Sequence, residues 1–243
     1  MTDYQIAGAY HTPAPRGPQV TIATALGDRD EQQDRGAALL LGDAQVLVVA
    51  DGIGGHPLGA EAAQAAVDAV VAVGRRRRKA LLSYDRPKVL AVVERMIDDA
   101  TRAVELVGAG FSRRVPGCTL TIAVRLRSAV AIGHVGDSWC AVDRRQRTTQ
   151  HGVGRILDSS LPLVTRLDLS WLTIDPRARL TVATDGVSAD DCYGADQPDA
   201  ERLIRHQLAR RDQVAPQDNA LAIVSRGMDG RQGLLLPMEV TRG

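Results

Sequence analysis

The sequence predicts an α+β fold in which two mainly antiparallel sheets pack on each other and are flanked by helices. Three observations carry this. Strand-like runs at Thr119–Val124, Ala129–Gly133 and Trp139–Val142 follow one another through short polar turns, and such a meander pairs antiparallel. The helical patterns are grouped between runs of strand and do not alternate with them one for one, which argues against a doubly wound parallel sheet. The 243 residues, 44% of them hydrophobic and 24% charged, suffice for one sizeable core and are marginal for two, so they read as one globular domain.

Taken in order, Tyr10–Pro18 holds three prolines and reads as a flexible arm, which sets residues 1–18 apart from a single domain over residues 19–243. β-branched and apolar runs predict strands at Gln19–Ala25 and Val46–Ala50. Gly59–Val73 is an Ala-rich helix with Ala62, Ala66, Ala69 and Val73 on one side, and Ala lets a helix lie close to a sheet. The basic run Arg75-Arg76-Arg77-Arg78-Lys79 follows it and reads as a solvated helix end, where the negative pole of the helix favours cations. A second helix sets Leu90, Val93, Ile97, Ala100, Val104 and Val107 at spacings of three and four, one apolar stripe. After the meander, Arg144–Arg179 shows no clear pattern beyond weakly apolar Ser160–Leu172. A strand at Leu180–Ala183, a helix at Asp199–Arg211 and a strand at Ala220–Ser225 complete the domain, and Leu234–Met238 suits an edge strand or a surface segment.

Composition excludes several functions. Thirty basic and 29 acidic side chains leave a formal net charge of +1, so no overall field draws the chain to nucleic acid or to a membrane. Aromatic residues make up 3%, too few for a base-stacking surface. No apolar run approaches the roughly 18–20 residues that span a bilayer, and Met1–Pro13 lacks the order of a signal peptide, so a cytoplasmic location is expected. Cys118, Cys140 and Cys192 are widely spaced and form no Cys-x-x-Cys pair, which predicts packed, reduced thiols.

The chemistry gathers on five carboxylates beside strand ends or tight turns: Asp34, Asp51, Asp137, Asp185 and Asp218. Asp51 opens Asp51-Gly52-Ile53-Gly54-Gly55-His56, whose glycines let backbone approach a ligand. A single Asp-Gly pair is ordinarily a turn. Several acids delivered to one end of a sheet repel one another in a partly dry cleft, and a cation relieves that repulsion. Oxygen donors without Cys or a His pair select hard ions, magnesium, manganese or calcium. Two such ions activate water at neutral pH and clamp a phosphate, so phosphate ester hydrolysis is the favoured reaction. His56 reads as a loop residue, and His11, His134, His151 and His206 have no spacing that suggests a shared ion.

The motifs Asp51-Gly52-Ile53-Gly54-Gly55-His56, Gly136-Asp137-Ser138, Thr184-Asp185-Gly186 and Asp218-Asn219, in this order, resemble the metal-dependent serine/threonine protein phosphatases of type 2C in their bacterial form. Arg29-Asp30-Glu31-Gln32-Gln33-Asp34 is similar to the family's first motif, and Pro116-Gly117-Cys118-Thr119-Leu120 resembles its Gly-Thr-Thr-Leu strand start. The resemblance implies a four-layer α-β-β-α sandwich with two manganese or magnesium ions at one end of the sheets and room for a third. It implies that Asp51 bridges the two ions, that Gly52 offers its carbonyl, and that Asp185 and Asp218 complete the first ion's shell. Asp137 with Asp185 corresponds to the third site, Asp34 to a catalytic-site residue behind the ligands, and Arg29 to the group that binds the substrate phosphate. The chain departs from the family at Gln32 and Gln33, where Asn and Glu are frequent, at Cys118 for Thr, and at Trp139 for Arg. Ile53 stands where eukaryotic members carry an acid-catalyst His.

The expected function is hydrolysis of phosphoserine or phosphothreonine in proteins by metal-bound hydroxide, without a phosphoenzyme. The expected partners are phosphorylated proteins, a serine/threonine kinase or its substrates, with no nucleic acid and no membrane. The alternative is a pseudophosphatase, an adaptor that binds phosphoproteins without turnover, favoured by Gln33 in place of an acid. The same site would also serve a phosphatase of a partner-switching pathway.

Overall fold

The computed structural model describes residues 10–11, 19–53, 58–109, 116–143, 145–146, 148, 157–158, 168–190, 199–209, 218–227 and 235–237. In chain order these hold β1 (Tyr10–His11), β2 (Gln19–Ala25), β3 (Asp34–Leu40), β4 (Gln45–Asp51), α1 (Gly59–Arg76), α2 (Arg78–Leu81) and α3 (Arg86–Val107). There follow β5 (Gly117–Cys118), β6 (Leu120–Arg125), β7 (Ala129–Val135), β8 (Trp139–Val142), β9 (Arg145–Gln146), β10 (Leu157–Asp158) and β11 (Asp168–Thr173). β12 (Arg179–Ala183), α4 (Ala200–Ala209), β13 (Ala220–Arg226) and β14 (Leu235–Pro237) complete the order.

One six-stranded sheet runs β1-β2-β13-β12-β8-β9 and a second β11-β7-β6-β4-β3-β14, β5 and β10 form a separate pair, and the pairings are antiparallel. Strand side chains alternate between faces, so each central strand feeds two layers. Along β4, Val46, Val48 and Ala50 join the cluster with α1 and α3, while Leu47 and Val49 join the cluster between the sheets. On the first sheet, Ile22, Leu180, Val182, Leu221 and Ile223 fill that middle layer. Its other face, with Ala23, Trp139, Ala141, Ala222 and Val224, packs against Leu203 and Ile204 of α4. The layers are therefore helix, sheet, sheet, helix, as expected.

Local chemistry explains the helices. Ala62, Ala63 and Ala66 bury the small face of α1 against β3 and β4. α3 begins where the Asp85 carboxylate accepts the Lys88 N–H at 3.2 Å, with Pro87 in its first turn. α1 continues three residues past the predicted Val73, so Arg75 and Arg76 form its last turn and the exposed basic run passes into α2. Among the described residues no helix is long and apolar enough to cross a membrane.

Several segments differ from expectation. β3, absent from the sequence-based assignment, is a central partner of β4. β11 lies in the region that showed only weak apolar character and extends it to Thr173. Leu235–Pro237 of the C-terminal segment forms an edge strand beside β3. Within the N-terminal arm, Tyr10 and His11 pair with Ile22 and Thr21, and the rest of that arm lies outside the described residues. Most of 144–167 also lies outside them, as do Arg210 and Arg211 of the predicted third helix. Cys118 and Cys140 are buried, and Cys192 falls outside the described residues.

The antiparallel order fixes where chain ends meet. β4 and β12 finish, and β3 and β13 start, at one end of the sandwich, where the β7–β8 turn also lies. That end receives all five singled-out aspartates.

Candidate metal centre

Asp34 opens β3 and Asp51 closes β4, directly opposite each other in the ladder. Asp137 lies in the β7–β8 turn, Asp185 two residues past β12 and Asp218 two residues before β13. Asp51, Asp137 and Asp185 form one group, with a carboxylate oxygen of each within 4.8 Å of the others.

Short polar side chains hold this arrangement. Thr119 Oγ1 accepts the Asp51 N–H at 3.0 Å and is hydrogen-bonded to Ser138 Oγ at 2.5 Å, which ties the Asp51 strand end to the Asp137 turn. The Thr184 hydroxyl donates to Asp34 Oδ2 at 2.7 Å and accepts the Leu221 N–H at 2.9 Å, joining the Asp185 and Asp218 strands to β3. Asn219 accepts the Gln33 N–H through Oδ1 and donates through Nδ2 to the Leu26 carbonyl, each at 2.8 Å. Gln32 is consumed by structure: Nε2 donates to Thr24 Oγ1 and the Ala25 carbonyl, and Oε1 accepts the Asp34 N–H. Gln33 Nε2 donates to the exposed Glu31 carboxylate at 3.2 Å. Trp139 is fully buried, and its indole N–H donates to the Val187 carbonyl at 2.7 Å, pinning the loop after Asp185.

Two glycines are required by close approach. A Cβ on Gly52 would stand 2.3 Å from the Gly59 carbonyl oxygen at the start of α1. One on Gly186 would stand 1.8 Å from the Asn219 carbonyl oxygen. No side chain fits either space.

The carboxylates are electrostatically strained. Burial pushes Asp51 up to about 10, and the charges of Asp34, Asp185 and Asp218 add to the rise. Burial pushes Asp34 up to about 7 although the Thr184 hydroxyl opposes it. Desolvation raises Asp185, and the neighbouring charges of Asp137 and Asp218 add to the rise. Asp34 Oδ1 is buried with no hydrogen-bond donor among the described residues.

Arg29 and Asp218 stand at the rim. Arg29 Nη2 donates to Asp218 Oδ2 at 2.6 Å, with the two side chains 48% and 42% exposed. Asp218 Oδ1 accepts the Asn219 N–H. Asp218 is thus outside the three-carboxylate group, although its charge acts on Asp34, Asp51 and Asp185. The pairing raises Arg29 further above its ordinary value, so the guanidinium keeps its charge. Gly54, Gly55 and His56 lie outside the described residues.

A hard divalent cation fits this end of the molecule: the donors are carboxylate oxygens, they repel one another, and one buried oxygen lacks a proton donor. The residues that sequence reasoning left without a role are Thr119, Ser138, Thr184 and Asn219. Their signal was present, since each is a small polar residue within or beside an Asp motif.

The family model for protein phosphatase 2C matches residues 24–155, more than half of the chain. No curated protein matches. Among solved structures, the serine/threonine phosphatase of S. agalactiae superposes with a TM-score of 0.70 at 17% identity, covering 86% of this chain and 99% of that one. The Mycobacterium tuberculosis serine/threonine phosphatase PstP/Ppp gives 0.66 at 20% identity, covering 87% and 99%. The catalytic domain of PstP in complex with 2 manganese ions gives 0.67 at 20% identity, with the same coverage. At these identities the structures establish a shared fold, and the family match, which spans both the Asp51 and Asp137 motifs, establishes kinship: the chain belongs to the protein phosphatase 2C family of serine/threonine phosphatases.

Proposed function

We propose that residues 19–243 form one catalytic domain that hydrolyses phosphoserine and phosphothreonine in proteins with divalent ions. The observation that carries this reading is the group Asp51, Asp137 and Asp185, with carboxylate oxygens of all three within 4.8 Å. Asp51, Asp185, Asp218 and the Gly52 carbonyl would hold two ions, and Asp137 with Asp185 a third. Manganese or magnesium suits these donors, and the manganese complex of PstP supports that choice. Such ions lower the pKa of bound water and offset the charge of a phosphate.

The chain's own groups do the rest. Arg29 at the rim presents a permanently charged fork to phosphate oxygens, and Asp218 orients it. Asp34, buried behind Asp51, accepts the hydrogen bond of the Thr184 hydroxyl and backs the ligands. Thr119 and Ser138 fix the separation of Asp51 and Asp137. The substrates are phosphorylated proteins, with a serine/threonine kinase or its targets as partners, in the cytoplasm.

The test is turnover of a phosphothreonine peptide and of para-nitrophenyl phosphate with manganese, with and without a chelator, alongside calorimetric titration of manganese. Manganese-dependent turnover is expected. Activity that survives chelation removes the metal reading, and phosphopeptide binding without manganese binding or turnover identifies an adaptor.

A further inference from the structure

The layer between the sheets has a second polar end. Leu47 and Gln45 on β4, Ala123 and Arg125 on β6, and Ile223 and Ser225 on β13 share strand parity, so Gln45, Arg125 and Ser225 enter the gap between the sheets. Each is 0% exposed. Six strand steps separate Gln45 from Asp51, about 20 Å.

Arg125 Nη1 donates to the Ser225 carbonyl at 3.1 Å and to its hydroxyl at 3.2 Å, and Nη2 donates to the Pro176 carbonyl at 2.9 Å. Ser225 Oγ donates in turn to Gln45 Oε1 at 2.5 Å. Every acceptor in this network is neutral. Arg125 Nε and Gln45 Nε2, on residues paired across the β4–β6 ladder, have no acceptor among the described residues.

Among the described residues the one carboxylate that acts on Arg125 is Asp143, and its Oδ1 is taken by the Arg179 N–H at 2.8 Å. Burial lowers Arg125 to about 10, which still leaves it charged at neutral pH. Among the described residues a closed layer thus holds a guanidinium without an ion-pair partner and two N–H groups without acceptors, each a costly condition. A water molecule would satisfy the N–H groups and leave the charge. A small anion satisfies both.

We infer that the Arg125–Gln45 end of the inter-sheet layer binds a monovalent anion of chloride size, held by Arg125 Nε–H and Gln45 Nε2–H. The site clasps one sheet to the other through Ser225. The inference stands apart from the catalytic reading.

The experiment is thermal unfolding of the full chain at constant ionic strength while chloride, or bromide, replaces gluconate. Tm is expected to climb by several degrees with the logarithm of halide concentration, as mass action requires of a ligand bound only by the folded state. Gln45→Glu sets a carboxylate beside Arg125 and should abolish the halide dependence, with Tm in gluconate at or above that of the unsubstituted chain in chloride. Crystals grown with bromide should show an anomalous peak within hydrogen-bond distance of both donors. A Tm indifferent to halide, or a bromide peak absent from this end, overturns the proposal. So does a halide dependence that persists unchanged in Gln45→Glu, because it would then arise elsewhere.

Discussion

β4 begins at Gln45 beside a buried guanidinium and ends at Asp51 among carboxylates, so one strand joins two ends of opposite charge. Both ends lie where the apolar middle layer runs out. They differ in access. Arg125, Gln45 and Ser225 are sealed, whereas Asp185 opens to solvent and Arg29 and Asp218 line a rim. A sealed polar end holds sheets together; an open one can exchange ions and admit a substrate. The difference teaches that position along the same strands, more than residue type, separates a structural polar cluster from a chemical one.

The sharpest break of this contrast is at the open end. Asp51→Asn or Asp185→Asn removes a charge from the carboxylate group and should lower manganese-dependent turnover on the order of 100-fold or more. Circular dichroism should show the fold intact, since each substitution also relieves repulsion. Full activity of Asp185→Asn over a range of manganese concentrations would refute the ligand assignment.

Next in size is Gly186→Ala. Its Cβ would fall 1.8 Å from a backbone oxygen of Asn219, so the Asp185 and Asp218 segments must separate. A loss of roughly 3 kcal/mol is expected from the urea midpoint, together with weaker manganese binding. An unchanged midpoint would mean that these segments are not held as described. Arg29→Ala should be milder, raising KM for a phosphopeptide about tenfold with a smaller change in kcat, because it removes an anchor and not a ligand.

Much of this was legible in the sequence because each carboxylate of the open end sits in a short motif. Asp51-Gly52, Asp137-Ser138 and Thr184-Asp185-Gly186 pair an acid with a residue chosen for close approach or for a local hydrogen bond, and such pairs can be read without a structure. The α3 stripe and the β-branched strands were legible for the same reason. β3 was not. Its Arg35-Gly36-Ala37-Ala38 has little strand propensity, and Gly36 is small because the Leu221 side chain comes within 2.9 Å of where its Cβ would be. The far end was also illegible: Gln45, Arg125 and Ser225 look like solvated strand ends until their strands are placed in register across two sheets. The Arg29–Asp218 pair, 189 residues apart, was equally out of reach.

The smallest expected effect sharpens the comparison through pH. In chelator-treated protein, Asp34 and Asp51 sit above the ordinary carboxylate value of about 3.9, so the folded state binds more protons than the unfolded state. Their contribution to stability is therefore complete below about pH 4 and is lost as pH rises through about 7 for Asp34 and onward for Asp51. Tm of the chelated chain should fall by a few degrees between pH 5 and pH 8 from this source, and manganese should restore it while releasing protons on binding. Asp51→Asn should flatten the fall. A slope that Asp51→Asn leaves intact would move the origin of the effect away from Asp51.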